Sequence, residues 1–303
     1  MKTLQNTILD FRQRFVFDEI DVRGCIVRLE ETCSNIQATH HYPENLARVL
    51  NQFALAATLL RDSIKLDGSL TIQLRSKSSI KLIMADCLAD RRIRAIAEYD
   101  QERLAPSDTI LLNDFDSSAV LAITITPEEG ERYQSIVPIE HATLAECLRD
   151  YFDRSEQLPS TFNLFADKKT ALGIALHALP SQKVMDQKQT DDNFERLNVL
   201  LKTLTEEEAL SLSSQGILTR LFHEESCRLF DEHSVEFGCV CSRDKSSDAI
   251  NSLGQEELLE LIEKEKSDGK EYLIVDCHFC FQRYEFDFDE LTQNVGRSDS
   301  VNL

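Results

Sequence analysis

Residues 43–74 read PENLARVLNQFALAATLLRDSIKLDGSLTIQL, and the hydrophobic period changes within them. Leu46, Leu50, Phe53, Ala57 and Leu60 recur at helical spacing behind Pro43 and Glu44, a pair suited to opening a helix. Past the turn signal Asp67-Gly68, Leu70, Ile72 and Leu74 alternate with Thr71, Gln73 and Arg75, the two-residue period of a half-buried strand. A long buried helix thus runs directly into a sheet. Working outward, Val22 to Leu29 reads as a strand with a bulge at Gly24, and Cys33 sits in a short polar helix candidate. Ile80 to Met84, Ile93 to Tyr99 and Val120 to Ile125 are further strands, and Pro127 with Gly130 turns the chain back through Tyr133 to Val137. Thr143 to Asp153 has helical spacing, and two more strands begin at Thr161 and Thr170. Such mixed order predicts an α+β fold, since a regular βαβ repeat would alternate evenly.

The chain has 303 residues, which predicts about two domains, and 42% hydrophobic with 28% charged residues is an ordinary globular balance. Against 53 Asp and Glu stand 33 Lys and Arg, a formal charge of −20. This repels phosphate backbones and anionic lipid, so neither nucleic acid nor membrane is expected as a partner. No run approaches the roughly 18 apolar residues of a membrane span. The opening MKTLQNTILDFRQRF lacks a secretory apolar region, so a cytoplasmic location is expected. There, nine cysteines imply thiols, metal ligands or redox sites in preference to structural disulfides. With nine glycines and no GxxxxGK[ST], GxGxxG or GxSxG motif, ATP dependence finds no support.

Composition shifts near Pro180. Residues 181–196, SQKVMDQKQTDDNFER, have few large apolar groups and read as a boundary or exposed connector. Leu197, Leu200, Leu201 and Leu204 then form an apolar stripe, Thr205 with Glu208 matches a capping box, and Ile217, Leu218, Leu221 and Phe222 make a second face. Between residues 191 and 236 eleven acids face four bases, a net −7, so these short helices are expected to depend on docking against something else. The expected organisation is a mixed α/β-sheet domain over residues 1–180, an acidic, helical, metastable linker over 181–236, and a small C-terminal module over 237–303.

That module contains Cys239-Val-Cys241 and Cys277-His-Phe-Cys280, separated by 35 residues. Two paired thiols from distant segments suit one tetrahedral zinc ion, because each pair closes locally at little chain entropy. The ion is either a structural staple for a module too small to bury an adequate core, or part of a switch, since a tight pair of thiolates is a place where oxidation releases metal. Metal affinity in small modules amounts to roughly 10–16 kcal/mol of folding free energy, so its loss would unfold the module. Unfolding that spread into residues 197–230 would expose their leucine-rich faces. Cys25, Cys87 and Cys147 read as small buried hydrophobes. His223-Glu224-Glu225-Ser226-Cys227 lacks the second histidine of a zinc-protease motif, His40-His41 reads as a solvated loop before a helix, and His278 as exposed. Two other functions remain open on these residues. A thiol-disulfide oxidoreductase would use Cys277 and Cys280 as its redox pair, though no thioredoxin-like βαβ context surrounds them. A zinc-ribbon interaction module would need a basic patch to hold nucleic acid, and the sequence supplies none.

The CxC…CxxC tail behind an acidic connector, together with Ile123-Thr-Ile-Thr-Pro-Glu-Glu-Gly-Glu-Arg-Tyr-Gln134 and Asp150-Tyr-Phe-Asp-Arg-Ser-Glu-Gln-Leu-Pro159, resembles the Hsp33 family of redox-regulated bacterial chaperones. Asp67-Gly68 with the strand Thr71 to Leu74, Leu221-Phe-His-Glu-Glu225 and Val235-Glu-Phe237 resemble family segments in the same order, so the likeness spans nearly the whole chain. It implies an ATP-independent holdase and no enzyme, inactive while reduced and zinc-bound through Cys239, Cys241, Cys277 and Cys280. Oxidation would join Cys239 to Cys241 and Cys277 to Cys280, release zinc and unfold the linker. Unfolding client proteins would then bind, and the oxidised form would tend to a homodimer. Two departures stand out: Arg75-Ser-Lys-Ser-Ser79 replaces a glycine-rich turn, and Phe281 follows Cys280 where a small residue such as glycine is common.

Overall fold

A computed structural model describes residues 9–64, 67–107, 109–180 and 187–292, with backbone alone for 187–190. In chain order these residues form strands β1 (Phe11–Phe17) and β2 (Val22–Leu29), helices α1 (Glu31–His40) and α2 (Glu44–Ser63), and strands β3 (Gly68–Arg75), β4 (Ile80–Cys87), β5 (Arg92–Tyr99), β6 (Val120–Pro127) and β7 (Tyr133–Val137). Helix α3 (Leu144–Tyr151) and strands β8 (Ser160–Ala166) and β9 (Ala171–Ala178) follow. Next come helices α4 (Gln187–Leu201), α5 (Glu206–Ser211) and α6 (Ser214–Phe222), then strands β10 (Cys227–Ser234) and β11 (Glu236–Phe237). The remainder is α7 (Arg243–Asn251), α8 (Gln255–Ser267), β12 (Tyr272–Asp276) and β13 (Arg283–Asp287). The chain divides into two compact units, residues 1–238 and 239–303.

In the first unit α2 lies between two sheets. Ala47, Ala54, Ala56 and Ala57 let both sheets approach it, while Leu50, Phe53, Leu59 and Leu60 fill the space on its flanks. Apart from the partly exposed stripe of Asn45, Arg48 and Gln52, the helix is apolar around most of its surface, and such a helix is stable only when enclosed in this way. On one side of α2 lies an antiparallel sheet in the order β10-β1-β2-β9-β8; on the other is β11-β5-β4-β3-β6-β7, antiparallel except for the short β11–β5 pairing. Along β3 the alternation is as expected, with Leu70, Ile72 and Leu74 buried and Thr71 and Gln73 half-buried. Thr143 closes a capping box with Glu146 at α3. The Ser76–Ser79 turn is held by serines in place of glycines: Ser76 Oγ lies 2.8 Å from Ser78 Oγ, and the Ser76 amide donates to the Lys81 carbonyl at 3.1 Å.

Three expectations are corrected. Gly24 makes no bulge, because β2 runs in unbroken register with both β1 and β9. Glycine is needed there since the Phe15 ring lies over it, and a Cβ would sit 2.1 Å from Phe15 Cζ. Of the expected connector, 181–186 lie outside the described residues, and 187–196 are helical as the leading turns of α4. Finally, the acidic segment is not helical through residue 230. Cys227–Ser234 is the edge strand β10, antiparallel to β1.

The second unit has a small core of Ile250, Leu258, Ile262, Leu273, Phe286, Phe288 and Leu291 among its described residues. Seven apolar side chains are little for a folding unit of this length, which leaves a role for a cross-link.

Candidate metal centre and apolar cover

Cys239 and Cys241 lie just beyond β11, where Ser242 caps α7 by accepting a hydrogen bond from the Lys245 amide at 3.1 Å. Cys277 and Cys280 lie in the turn joining β12 to β13. Here the Cys277 amide donates to the Gln282 carbonyl at 2.9 Å, and the Phe281 amide donates to the Cys277 carbonyl at 2.8 Å. Asp276 and Arg283 close the neck of this hairpin with two hydrogen bonds, at 2.8 and 3.0 Å. Phe281 completes the turn at φ 54°, a left-handed conformation that favours glycine, and its side chain is 52% exposed.

The four Sγ atoms lie within 4.8 Å of one another. Cys239 and Cys277 are 3.6 Å apart and Cys241 and Cys280 3.5 Å, whereas a disulfide bond measures about 2.05 Å. Four donors about 2.3 Å from a common centre in a tetrahedron stand about 3.8 Å from each other, so the cluster fits a tetrahedral metal ion. The electrostatics agree. Burial foremost, with repulsion from the neighbouring thiols adding a smaller part, pushes the Cys277 and Cys280 thiols up. A dication placed among them reverses that balance. The Tyr284 hydroxyl donates to Cys241 Sγ at 3.2 Å, and this contact is the main reason the phenol is pushed up to about 12. Tyr284 was not singled out from the sequence; the only available signal was the alternation of β13 immediately behind the CxxC pair.

Elsewhere the thiols are quiet. Cys25, Cys33, Cys87 and Cys147 are buried, and burial pushes the Cys87 thiol up to about 12. Cys227 belongs to β10, with burial holding its thiol at about 11. Among the described residues neither His223 nor Cys227 joins the metal-competent group. Nor do His40 and His41, where His40 stacks on Tyr42 at 5.2 Å. His278 is exposed.

In the first unit, the sheet face turned away from α2 is covered. Leu197, Leu201, Leu204, Ala209, Ile217, Leu218, Leu221 and Phe222 pack against Phe15, Phe17, Ile20, Val22, Ile26, Leu172, Ile174 and Leu176. Phe222 meets Phe17 edge to face at 5.2 Å. The capping box predicted at Thr205 and Glu208 starts α5. Its C-terminal end is held from the sheet: the Arg28 guanidinium donates to the carbonyls of Ala209 at 3.1 Å, Leu210 at 3.0 Å and Leu212 at 2.6 Å. Carbonyls at a helix end lack partners within the helix, and a cation there suits both their lone pairs and the helix dipole. Burial lowers the Arg28 pKa from its ordinary value. Asn163 donates to the Leu201 carbonyl at 3.0 Å, and Thr161 to Asn198 at 2.9 Å.

No helix among the described residues is long and apolar enough to cross a membrane. The model of the Hsp33 protein family matches residues 10–287. The chain is 42% identical over 284 residues to the 33 kDa chaperonin of Pseudomonas fluorescens Pf-5, covering 94% of this chain and 93% of that one. It is also 42% identical to the 33 kDa chaperonin of Azotobacter vinelandii, covering 94% of each. The crystal structure of the 33 kDa chaperonin from Thermotoga maritima superposes with a TM-score of 0.74 at 22% identity, covering 95% of this chain and 99% of that one, which supports the α+β fold. With a family model over nearly its full length and relatives this similar, the chain belongs to the Hsp33 family of chaperones.

Proposed function

We propose that the chain is an ATP-independent holdase held inactive while Cys239, Cys241, Cys277 and Cys280 are reduced and bind one zinc ion, and activated when those thiols are oxidised. The observation that carries this reading is the covered sheet face. Eight buried apolar residues of α4, α5, α6 and their connections lie over an equally apolar sheet, on helices at or below the about 12–15 residues an isolated helix needs. Such a cover is a large apolar surface held in reserve.

The chemistry assigned to the cysteines is balanced. When bound, the dication offsets the repulsion of four thiolates and cross-links two distant segments. Two thiols and one peroxide give one disulfide and two waters: the O–O bond breaks, the S–S bond forms and sulfur loses two electrons. Each disulfide withdraws two donors from the metal. Following the family resemblance, we assign the bonds as Cys239–Cys241 and Cys277–Cys280. Residues 237–303 then lose their cross-link, the linker of 181–236 loosens, and the sheet of residues 1–180 binds unfolding clients. The oxidised form pairs as a homodimer, and neither ATP nor nucleic acid takes part. The net charge of −20 keeps the opened form soluble, consistent with a cytoplasmic protein.

The test is light scattering from a thermally aggregating client, with zinc-loaded reduced protein compared against the same preparation after warm peroxide. Suppression only after oxidation is expected. Equal scattering in both samples, with the metal demonstrably lost, overturns the switch.

A further inference from the structure

The edge of β1 is occupied by the chain's own β10, and this pairing shows what kind of partner the edge accepts. Phe17 pairs with Cys227, Val16 with Arg228 and Phe15 with Leu229; after an irregularity, Gln13 pairs with Glu232, Arg12 with His233 and Phe11 with Ser234. Further backbone bonds continue past both ends, from the Asp18 amide to the Ser226 carbonyl at 2.9 Å and from the Val235 amide to the Asp10 carbonyl at 3.1 Å. At the irregularity the Gln13 side chain donates to the Phe230 carbonyl at 2.8 Å.

Side chains contribute far less. Only Cys227 and Leu229 of β10 pack against the apolar layer, and Phe230 through Ser234 are all exposed. The edge therefore holds its strand chiefly through main-chain hydrogen bonds, which every sequence except proline can supply. Sequence tolerance of this kind suits a site that must accept many polypeptides. Charge does not narrow the choice: Arg12 and Arg14 of β1 already bind Asp62, Arg28 of β2 holds the α5 carbonyls, and β10 itself carries Arg228 beside Asp231 and Glu232.

We propose that β10 is a stand-in for the client, and that release of the linker leaves the β1 edge to be filled by an extended, proline-free client segment. That segment adds antiparallel to Phe11–Phe17 and turns alternate apolar residues toward Phe15 and Phe17. The inference rests on the switch proposed above, since the edge is free only when β10 has left.

The probe is a fluorescent peptide copying residues 226–235, with valine in place of Cys227. It is titrated by anisotropy against the oxidised and the reduced full-length chain. Two further copies are N-methylated on backbone amides: one on residues 228, 233 and 235, the amides that the register and the end bonds turn toward β1 on either side of the irregularity, and one on residues 227, 229, 232 and 234, which turn away. Saturable binding to the oxidised chain only is expected, with one methylated copy at least tenfold weaker and the other little changed, because only one set of amides faces β1. Equal binding of all three copies, or equal binding to the reduced chain, overturns the inference. So does binding that weakens as protein concentration rises, which would assign the edge to a second copy of the chain. Aggregation assays on the same preparation separate the two readings. Protection without amide-selective binding removes the edge alone, and amide-selective binding without protection removes the switch.

Discussion

His177 holds a hydroxyl on each ring nitrogen, Ser63 Oγ at 2.7 Å from Nε2 and Ser160 Oγ at 2.8 Å from Nδ1. Burial first and the Arg23 charge second push its pKa down to about 4, with Asp62 opposing. The unfolded chain, with an ordinary value near 6.5, binds the extra proton across this interval. Stability from the neutral ring is therefore complete above about pH 6.5 and lost as pH falls toward 4, on the order of 3 kcal/mol. His177→Gln is expected to flatten that pH dependence, checked by urea midpoints at pH 7 and pH 5; an equal loss in both proteins would exclude this histidine as the source. Phe281 yields a prediction of opposite sign. A non-glycine residue at φ 54° carries left-handed strain of about 1 kcal/mol or more, so Phe281→Gly should stabilise the CxxC turn by about that amount. Slower metal loss to a chelator in the variant is the readout. The paired cysteines themselves were legible because metal ligation imposes a short spacing. Arg28 and Tyr284 were not, because their partners lie far along the chain and no local pattern announces them.

Among the elements, α2, β3 and the capping boxes at α3 and α5 are written in periods and spacings that local chemistry alone decides. The strand β10 is not. Its alternation is only two residues deep, and a vacant sheet edge, a tertiary fact, overrides the acidic sequence. The start of α4 misleads in the same way, since a mostly polar run is carried by buried Leu197 and Leu201 at its end. At this scale the decisive contact is Arg28 at the end of α5. Arg28→Ala leaves three carbonyls without their donor at a cost of about 3 kcal/mol, and part of the cover should lift without oxidation. The reduced variant is expected to suppress client aggregation partially, with Arg28→Lys intermediate. Scattering identical to the parent in both reduced variants would show that the cover does not depend on this contact.

For the whole molecule, the contrast between the two units predicts unequal responses to metal removal. The second unit has seven buried apolar side chains among its described residues, and the first has two extensive apolar clusters on either side of one sheet. Chelation under reducing conditions is expected to make residues 239–303 protease-sensitive while residues 11–178 stay resistant, as mass spectrometry of the fragments would show. Full resistance of both units after the metal is gone would mean that the small core suffices. The position of α2 has one more consequence. Because the sheet rests on α2 by one face and carries the cover on the other, removing the cover leaves β2 and β9 with one face and both backbone ladders intact. Amide hydrogen exchange should accordingly be two-tiered: β2 and β9 exchange only when the whole unit unfolds, whereas α5 and α6 exchange through a local opening of much lower free energy. Client capture and survival of the scaffold would then draw on separate reserves of stability.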